Sequence, residues 1–364
     1  MVSKQVCLLI ADIRKSGGTE RAVFNLANDL CEIGYSVTIV SIFSDKGNAF
    51  YPLVSNIRIE HLGVYFQTSL VKRLLVGFRD LYKALNQLNK RATNTIFVAT
   101  DPFVSFVMAK AHGADKRNKL IVCEHMALSI SKFYSVWFRR ALFKKVDAVV
   151  VLTNRDLEFI RERLSDVKSV VIPNRISFLP EKLSSCQSKT VLSVGRLEPQ
   201  KNYAELIEIC EPILKAHSDW ELIIVGGGSQ KEMLLGLIKS KQLVGQISIK
   251  EPTRQIVDYF LGASIYVMSS IYEGFPMVLL EAKSYGLPIV SFDCPNGPRE
   301  MIVDQKDGYL VDMHNHADFR KSLERLIGDT ALRAQYGMDG SKDVNLRYAK
   351  KEVIVEWKKL LDSI

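Results

Sequence analysis

A chain of 364 residues exceeds one ordinary core and suits two domains of roughly 100–200 residues each. Its 47% apolar and 24% charged residues exclude a disordered chain, and no stretch reaches the roughly eighteen apolar residues of a membrane span. The net charge of +9 is lopsided, because residues 1–180 carry 26 Lys+Arg against 15 Asp+Glu while residues 181–364 carry 23 against 25.

The apolar run that opens the chain ends at Asp12, too short and too early for a signal peptide, so a cytoplasmic protein is expected. Gln5–Ala11, Ser36–Ile42, Ile57–Leu62, Thr95–Ala99, Lys119–Cys123 and Ala148–Leu152 read as strands, with Val170–Ile172 a candidate seventh. Between them Thr19–Ile33, Leu70–Leu88, Pro102–Ala111, Phe133–Lys144 and Arg155–Leu164 have the period of helices. Such alternation implies a parallel sheet with crossover helices on both faces. A polar stretch, Ser177–Ser188, then reads as a linker between domains at 1–176 and 189–345. The pattern restarts with Thr190–Val194, Tyr203–Lys215, Glu221–Val225, Lys231–Lys239, Gln246–Ile249, Arg254–Leu261, Ser264–Met268, Met277–Tyr285 and Pro288–Ser291. The tail, 346–364, has a helical period over Tyr348–Leu361, and one candidate place for it is back on the N-terminal domain. Six scattered cysteines without a CxxC, and no histidine spacing suited to zinc, point to reduced thiols and no metal or other cofactor.

Doubly wound sheets bind ligands beyond the carboxyl ends of their strands, and four turns there carry chemistry. Gly17 and Gly18, in the turn that opens the first helix, allow close approach of a ligand to backbone N–H groups; a bare glycine turn is the alternative. In Gly195-Arg196-Leu197-Glu198-Pro199-Gln200-Lys201-Asn202 two cations lie five residues apart across a turn and can converge on one anion such as a diphosphate, or else stand solvated on the surface. Gly226-Gly227-Gly228 removes side chains from the crevice. In Glu273-Gly274-Phe275-Pro276-Met277-Val278-Leu279-Leu280-Glu281 one glutamate precedes a helix, where it could be an ordinary capping acid. The other lies inside a packed helix and needs hydrogen-bond donors, which ligand hydroxyls would supply. Pro276 suits the first helical turn.

Together these residues, with Glu124-His125 and Gly286-Leu287-Pro288, resemble glycosyltransferase family 4 over nearly the whole chain. The resemblance implies the GT-B fold, α/β with two Rossmann-like doubly wound domains facing across a cleft. It implies a metal-independent, retaining transferase acting on a nucleotide-sugar donor. Arg196 and Lys201 would bind the donor diphosphate and Glu281 the ribose hydroxyls, while Glu273 with the backbone of Gly274, Phe275 and Pro276 would hold the transferred sugar. His125 would lie over that sugar near the reacting centre; taken alone it reads as a satisfied core histidine. Ser291-Phe292-Asp293-Cys294-Pro295-Asn296-Gly297-Pro298-Arg299-Glu300 looks like a stretch of bacterial polysaccharide and lipid-linked-oligosaccharide transferases that use UDP-galactose or UDP-N-acetylgalactosamine. One departure from the family pattern, Ile249-Lys250-Glu251-Pro252-Thr253, bears on UDP against GDP. A nucleotide-sugar epimerase of the same fold and a two-lobed sugar-binding protein are the competing readings.

The basic surplus concentrates in Leu70–Arg91 and in Lys132–Lys145, where Lys132, Arg139, Arg140, Lys144 and Lys145 are interleaved with aromatic residues. That pattern suggests peripheral binding to the anionic cytoplasmic face of the inner membrane, hence a lipid-linked or polysaccharide acceptor. No nucleic-acid motif accompanies it, and a solvated basic face is the remaining alternative.

Overall fold

The computed structural model describes residues 4–64, 70–113, 117–128, 139–164, 167–177 and 179–364, the side chains of 70–76 excepted. The chain forms two compact units, Met1–Ser177 with Lys350–Ile364, and Phe178–Ala349.

In the first unit β1 (Gln5–Ile10), β2 (Ser36–Ser41), β3 (Arg58–His61), β4 (Thr95–Ala99), β5 (Lys119–Glu124), β6 (Ala148–Val151) and β7 (Ser169–Val171) form one sheet in the order β3-β2-β1-β4-β5-β6-β7. Every pairing is parallel, with Leu8 of β1 in register with Ile39 and Val98. β4 and β6 are buried at every position, which is why they read as continuous apolar runs and not as alternating ones. Helices Gly18–Glu32, Leu70–Arg91, Pro102–His112 and Asn154–Arg163 make crossovers. The Asp101 carboxylate accepts from the N–H groups of Phe103 and Val104, which fixes where the third begins. Residues 139–143 are helical, whereas positions 133–138 of the expected helix lie outside the described residues. The last helix, Lys350–Asp362, belongs to this unit: it packs on Gly18–Glu32 through buried Val353, Ile354 and Trp357, Lys350 pairs with Glu32, and the Lys4 ammonium donates to Leu361 O at 2.8 Å.

The second unit has β8 (Thr190–Val194), β9 (Glu221–Val225), β10 (Ile247–Lys250), β11 (Ile265–Met268), β12 (Ile289–Phe292) and β13 (Gly308–Val311), all parallel, in the order β10-β9-β8-β11-β12-β13. The stretch read as a linker is packed from Ser184 onward. Ser184 N–H donates to Tyr285 O at 2.8 Å, Cys186 is buried, and the Arg333 guanidinium donates to Cys186 O at 2.9 Å. Beyond β12 the chain adds β13 and helices Pro298–Met301, His316–Gly328 and Thr330–Arg347, none of which the sequence pattern had announced. No helix among the described residues is long and apolar enough to cross a membrane.

Candidate functional site

In the second unit the strand order reverses between β8 and β11, and the loops after these two strands flank that switch point. The loop after β8 ends in a short 3-10 turn, Pro199–Lys201, closed by Asn202 in the left-handed region (φ 56°), from which helix Tyr203–Ala216 departs. The loop after β11 grips that turn. Ser269 Oγ donates to Lys201 O at 2.9 Å, Ile271 N–H donates to Gln200 O at 2.9 Å, and the Gln200 amide donates to Tyr272 O at 2.9 Å. This clamp delivers the two charges expected of the site to one point: Lys201 Nζ lies 2.6 Å from Glu273 Oε1, their side chains 14% and 8% exposed. The cation of the first loop and the carboxylate of the second thus neutralise each other. Arg196 leaves the same loop on the solvent side, its guanidinium 3.4 Å from Gln200 Oε1.

Gly195 sets the path of Lys201. A Cβ added to Gly195 would stand 2.9 Å from Tyr203 Oη and 3.0 Å from Lys201 Cε, so the lysine stem lies across the glycine. The triple glycine after β9 packs closely against the loop after β8. A Cβ on Gly226 would stand 1.8 Å from Gly195 O, and Leu197 N–H donates to Gly227 O at 2.9 Å. These glycines admit the backbone of the neighbouring loop.

Glu281 is buried within helix Met277–Ser284, which starts one residue after Pro276, itself the N-cap. The loop after β12 lies over this helix start. Pro295 O accepts the N–H of Glu273 at 3.2 Å, and Gly297 has φ +94° where an added Cβ would come within 2.2 Å of Pro276 Cδ. Phe275 is buried and meets Tyr348 edge to face, ring centres 6.0 Å apart, so the 273–276 segment is held from both sides. Burial, and next the charge of Glu273, push the Cys294 thiol up to about 12, which keeps it protonated and unreactive. Sequence reasoning missed Lys283, two residues past Glu281 and fully buried, whose ammonium reaches Asp307 and Asp343 at 2.8 Å each. A lysine inside so apolar a helix was the available signal. It missed also Glu205, to which His314 Nδ1 and His316 Nε2 come within 2.9 and 2.6 Å.

In the first unit Gly17 caps helix Gly18–Glu32 without a side-chain hydrogen bond, and the Glu20 carboxylate leans over it, 2.3 Å from where a Cβ would be. A carboxylate thus already faces the helix N-terminus at the Gly17-Gly18 turn. His125 follows β5 and lines a cavity of about 30 Å³ with Thr100, Asn174, Arg175 and Trp357; burial holds its imidazole down to about 4, neutral at physiological pH. Its neighbour Glu124 is buried, and burial raises its carboxyl despite Arg139, whose guanidinium meets it at 3.1 and 3.3 Å. Arg139 was expected on the basic surface. Its side chain is only 11% exposed because a buried carboxylate claims it, so it leaves that set. Arg140, Lys144 and Lys145 are exposed, and Lys132 lies outside the described residues.

Residues 16–177 match the family described as Glycosyltransferase Family 4, and residues 177–343 match glycosyl transferases group 1. The chain is 30% identical over 369 residues to the amylovoran biosynthesis glycosyltransferase AmsD of Erwinia amylovora, covering 98% of this chain and 99% of the relative. It is 24% identical over 369 residues, 99% of each, to a Campylobacter jejuni enzyme named as an α-1,4-N-acetyl-D-galactosaminyltransferase acting on a diNAcBac-PP-undecaprenol-linked saccharide. Among solved structures, S. aureus TarM (G117R mutant with fondaparinux, α-GlcNAc-glycerol and UDP) superposes with a TM-score of 0.83 at 17% identity, covering 98% of this chain and 99% of that one.

Proposed function

The chain belongs to glycosyltransferase family 4 and has its two-unit GT-B fold, and from that premise we propose that it transfers a hexose or N-acetylhexosamine from a UDP-sugar to a lipid-linked or polysaccharide acceptor. The observation that carries the reading is the meeting of Lys201 and Glu273 at the switch point of the second unit, with Arg196 on the same loop and Glu281 in the following helix. UDP as the nucleotide, and galactose or N-acetylgalactosamine as the sugar, are supported by the Ser291–Glu300 stretch and by the named activity of the Campylobacter relative.

Arg196 and Lys201 neutralise charge that develops on the departing diphosphate, preorganised cations doing work that a metal does elsewhere. Glu281 bonds the ribose hydroxyls. Glu273 and the backbone of Gly274, Phe275 and Pro276 hold the sugar. Configuration is retained: the acceptor hydroxyl attacks from the face that the diphosphate leaves, the diphosphate takes the proton, and no protein nucleophile intervenes. His125, assigned to the reacting sugar through the family resemblance, serves as a neutral hydrogen-bonding group. The exposed cations Arg140, Lys144 and Lys145 rest on an anionic membrane and bring the chain to its lipid-linked acceptor.

A donor panel tests the reading. UDP-galactose, UDP-N-acetylgalactosamine, UDP-glucose, UDP-N-acetylglucosamine and GDP-mannose are each supplied with polyprenyl-diphosphate-linked saccharides, and nucleotide release and product mass are followed. A UDP-galactose or UDP-N-acetylgalactosamine signal that rises with acceptor supports it. Turnover with GDP-mannose alone would correct the nucleotide, interconversion of UDP-sugars without transfer would make it an epimerase, and no turnover on any donor would leave a binding protein.

A further inference from the structure

This inference rests on the donor-site reading above. Lys201 and Glu273 are assigned to different parts of one donor, yet they satisfy each other at 2.6 Å, both side chains largely shielded from bulk water. The lysine is not free to wander. Its stem lies across Gly195 beside Tyr203 Oη, and Ser269 Oγ fixes its carbonyl, so only the end of the side chain can exchange partners. Glu273 is held too, its N–H bonded to Pro295 O, while Gly297 of the same loop closes on Pro276.

We propose that Lys201 is the positioning residue of Glu273, and that a nucleoside diphosphate takes the ammonium over, so that the sugar-facing carboxylate is released only once the diphosphate has arrived. A diphosphate carries more charge than a carboxylate and outcompetes it for one cation. Glu273, then buried without its counter-ion, must find donors, and the hydroxyls of the attached sugar are those within the donor itself. UDP bearing a sugar supplies both halves of the exchange. UDP alone takes the lysine and leaves the carboxylate uncompensated. The pair therefore favours UDP-sugar over UDP, and its re-formation after transfer helps to expel the product.

The test is calorimetric titration of UDP into the full chain as wild type, Glu273→Gln, Lys201→Met and the double variant, each checked for a cooperative thermal melt; Glu273→Ala takes the place of Glu273→Gln if that variant fails the check. Because a hydrogen bond to a charged group is released from competition, Glu273→Gln tightens UDP about tenfold, and the gain vanishes when Lys201 is already Met. Equal or weaker UDP affinity in folded Glu273→Gln overturns the handover. Equal tightening in both backgrounds also overturns it, since Glu273 would then act by simple repulsion of the diphosphate. No UDP binding by the wild type would instead remove the donor-site reading itself.

Discussion

Replacing Arg139 by Met separates two accounts of the basic segment. The substitution keeps the length of the side chain and removes its charge, leaving Glu124, 3% exposed in its side chain, without the guanidinium that meets both its oxygens. Removing one partner of a buried pair costs about 3–5 kcal/mol, and protonation of the stranded carboxyl limits the loss toward the lower figure. For a unit of this size about 3 kcal/mol lowers the melting temperature by roughly 6–12 °C. The pH dependence has a definite sign. Burial raises the Glu124 carboxyl in the folded chain, and without Arg139 it rises further, so the folded form gains from holding a proton there. Stability linked to this group is present at low pH and lost as pH climbs through the raised value, so the gap between variant and wild type narrows from pH 7 toward pH 4. Differential scanning calorimetry at several pH values reads both effects. A variant that melts with the wild type at pH 7 but binds anionic vesicles less well would refute the reasoning and return Arg139 to the surface.

Three further outcomes are expected. Glu281→Gln weakens UDP and UDP-sugar alike, by about 1.5–3 kcal/mol, in titration calorimetry, because the ribose is common to both; loss confined to the UDP-sugar would place Glu281 on the sugar. Gly297→Ala drives a Cβ to 2.2 Å from Pro276 Cδ at a positive φ, so turnover falls more than UDP affinity does, at about 1–3 kcal/mol of stability, in steady-state kinetics paired with melting; unchanged turnover would free the 273–276 loop from this contact. Replacing Arg140, Lys144 and Lys145 by Ser, with Arg139 kept, releases the chain from anionic vesicles at low salt, each cation contributing about 1 kcal/mol; equal co-sedimentation by the folded variant would assign membrane binding elsewhere.

Much of the fold was legible because parallel strands buried on both faces leave continuous apolar runs, as β4 and β6 do. Helix Thr330–Arg347 was not, for a physical reason. It approaches the Met277–Ser284 region through Gly337, where an added Cβ would stand 1.9 Å from Gly286 O, and a contact made by backbone leaves no apolar stripe to count. The site shows the same division. Residue types and loop positions made Arg196, Lys201, Glu273 and Glu281 candidates, but which charges neutralise each other depends on the folded chain. Lys201 finds Glu273 72 residues away, and Arg139 turns inward to Glu124 15 residues before it. The glycines after β9 show the limit from the other side: their number marked a crowded loop, and the crowding comes from Gly195, Leu197 and Pro252.

If the second unit holds a nucleotide diphosphate between Arg196 and Lys201, UDP titration of Arg196→Ala and Lys201→Ala shows it most directly. Each variant, folded by its melting curve, should lose about 1.5–3 kcal/mol of UDP affinity, roughly ten- to hundredfold. Wild-type affinity in both would contradict the account.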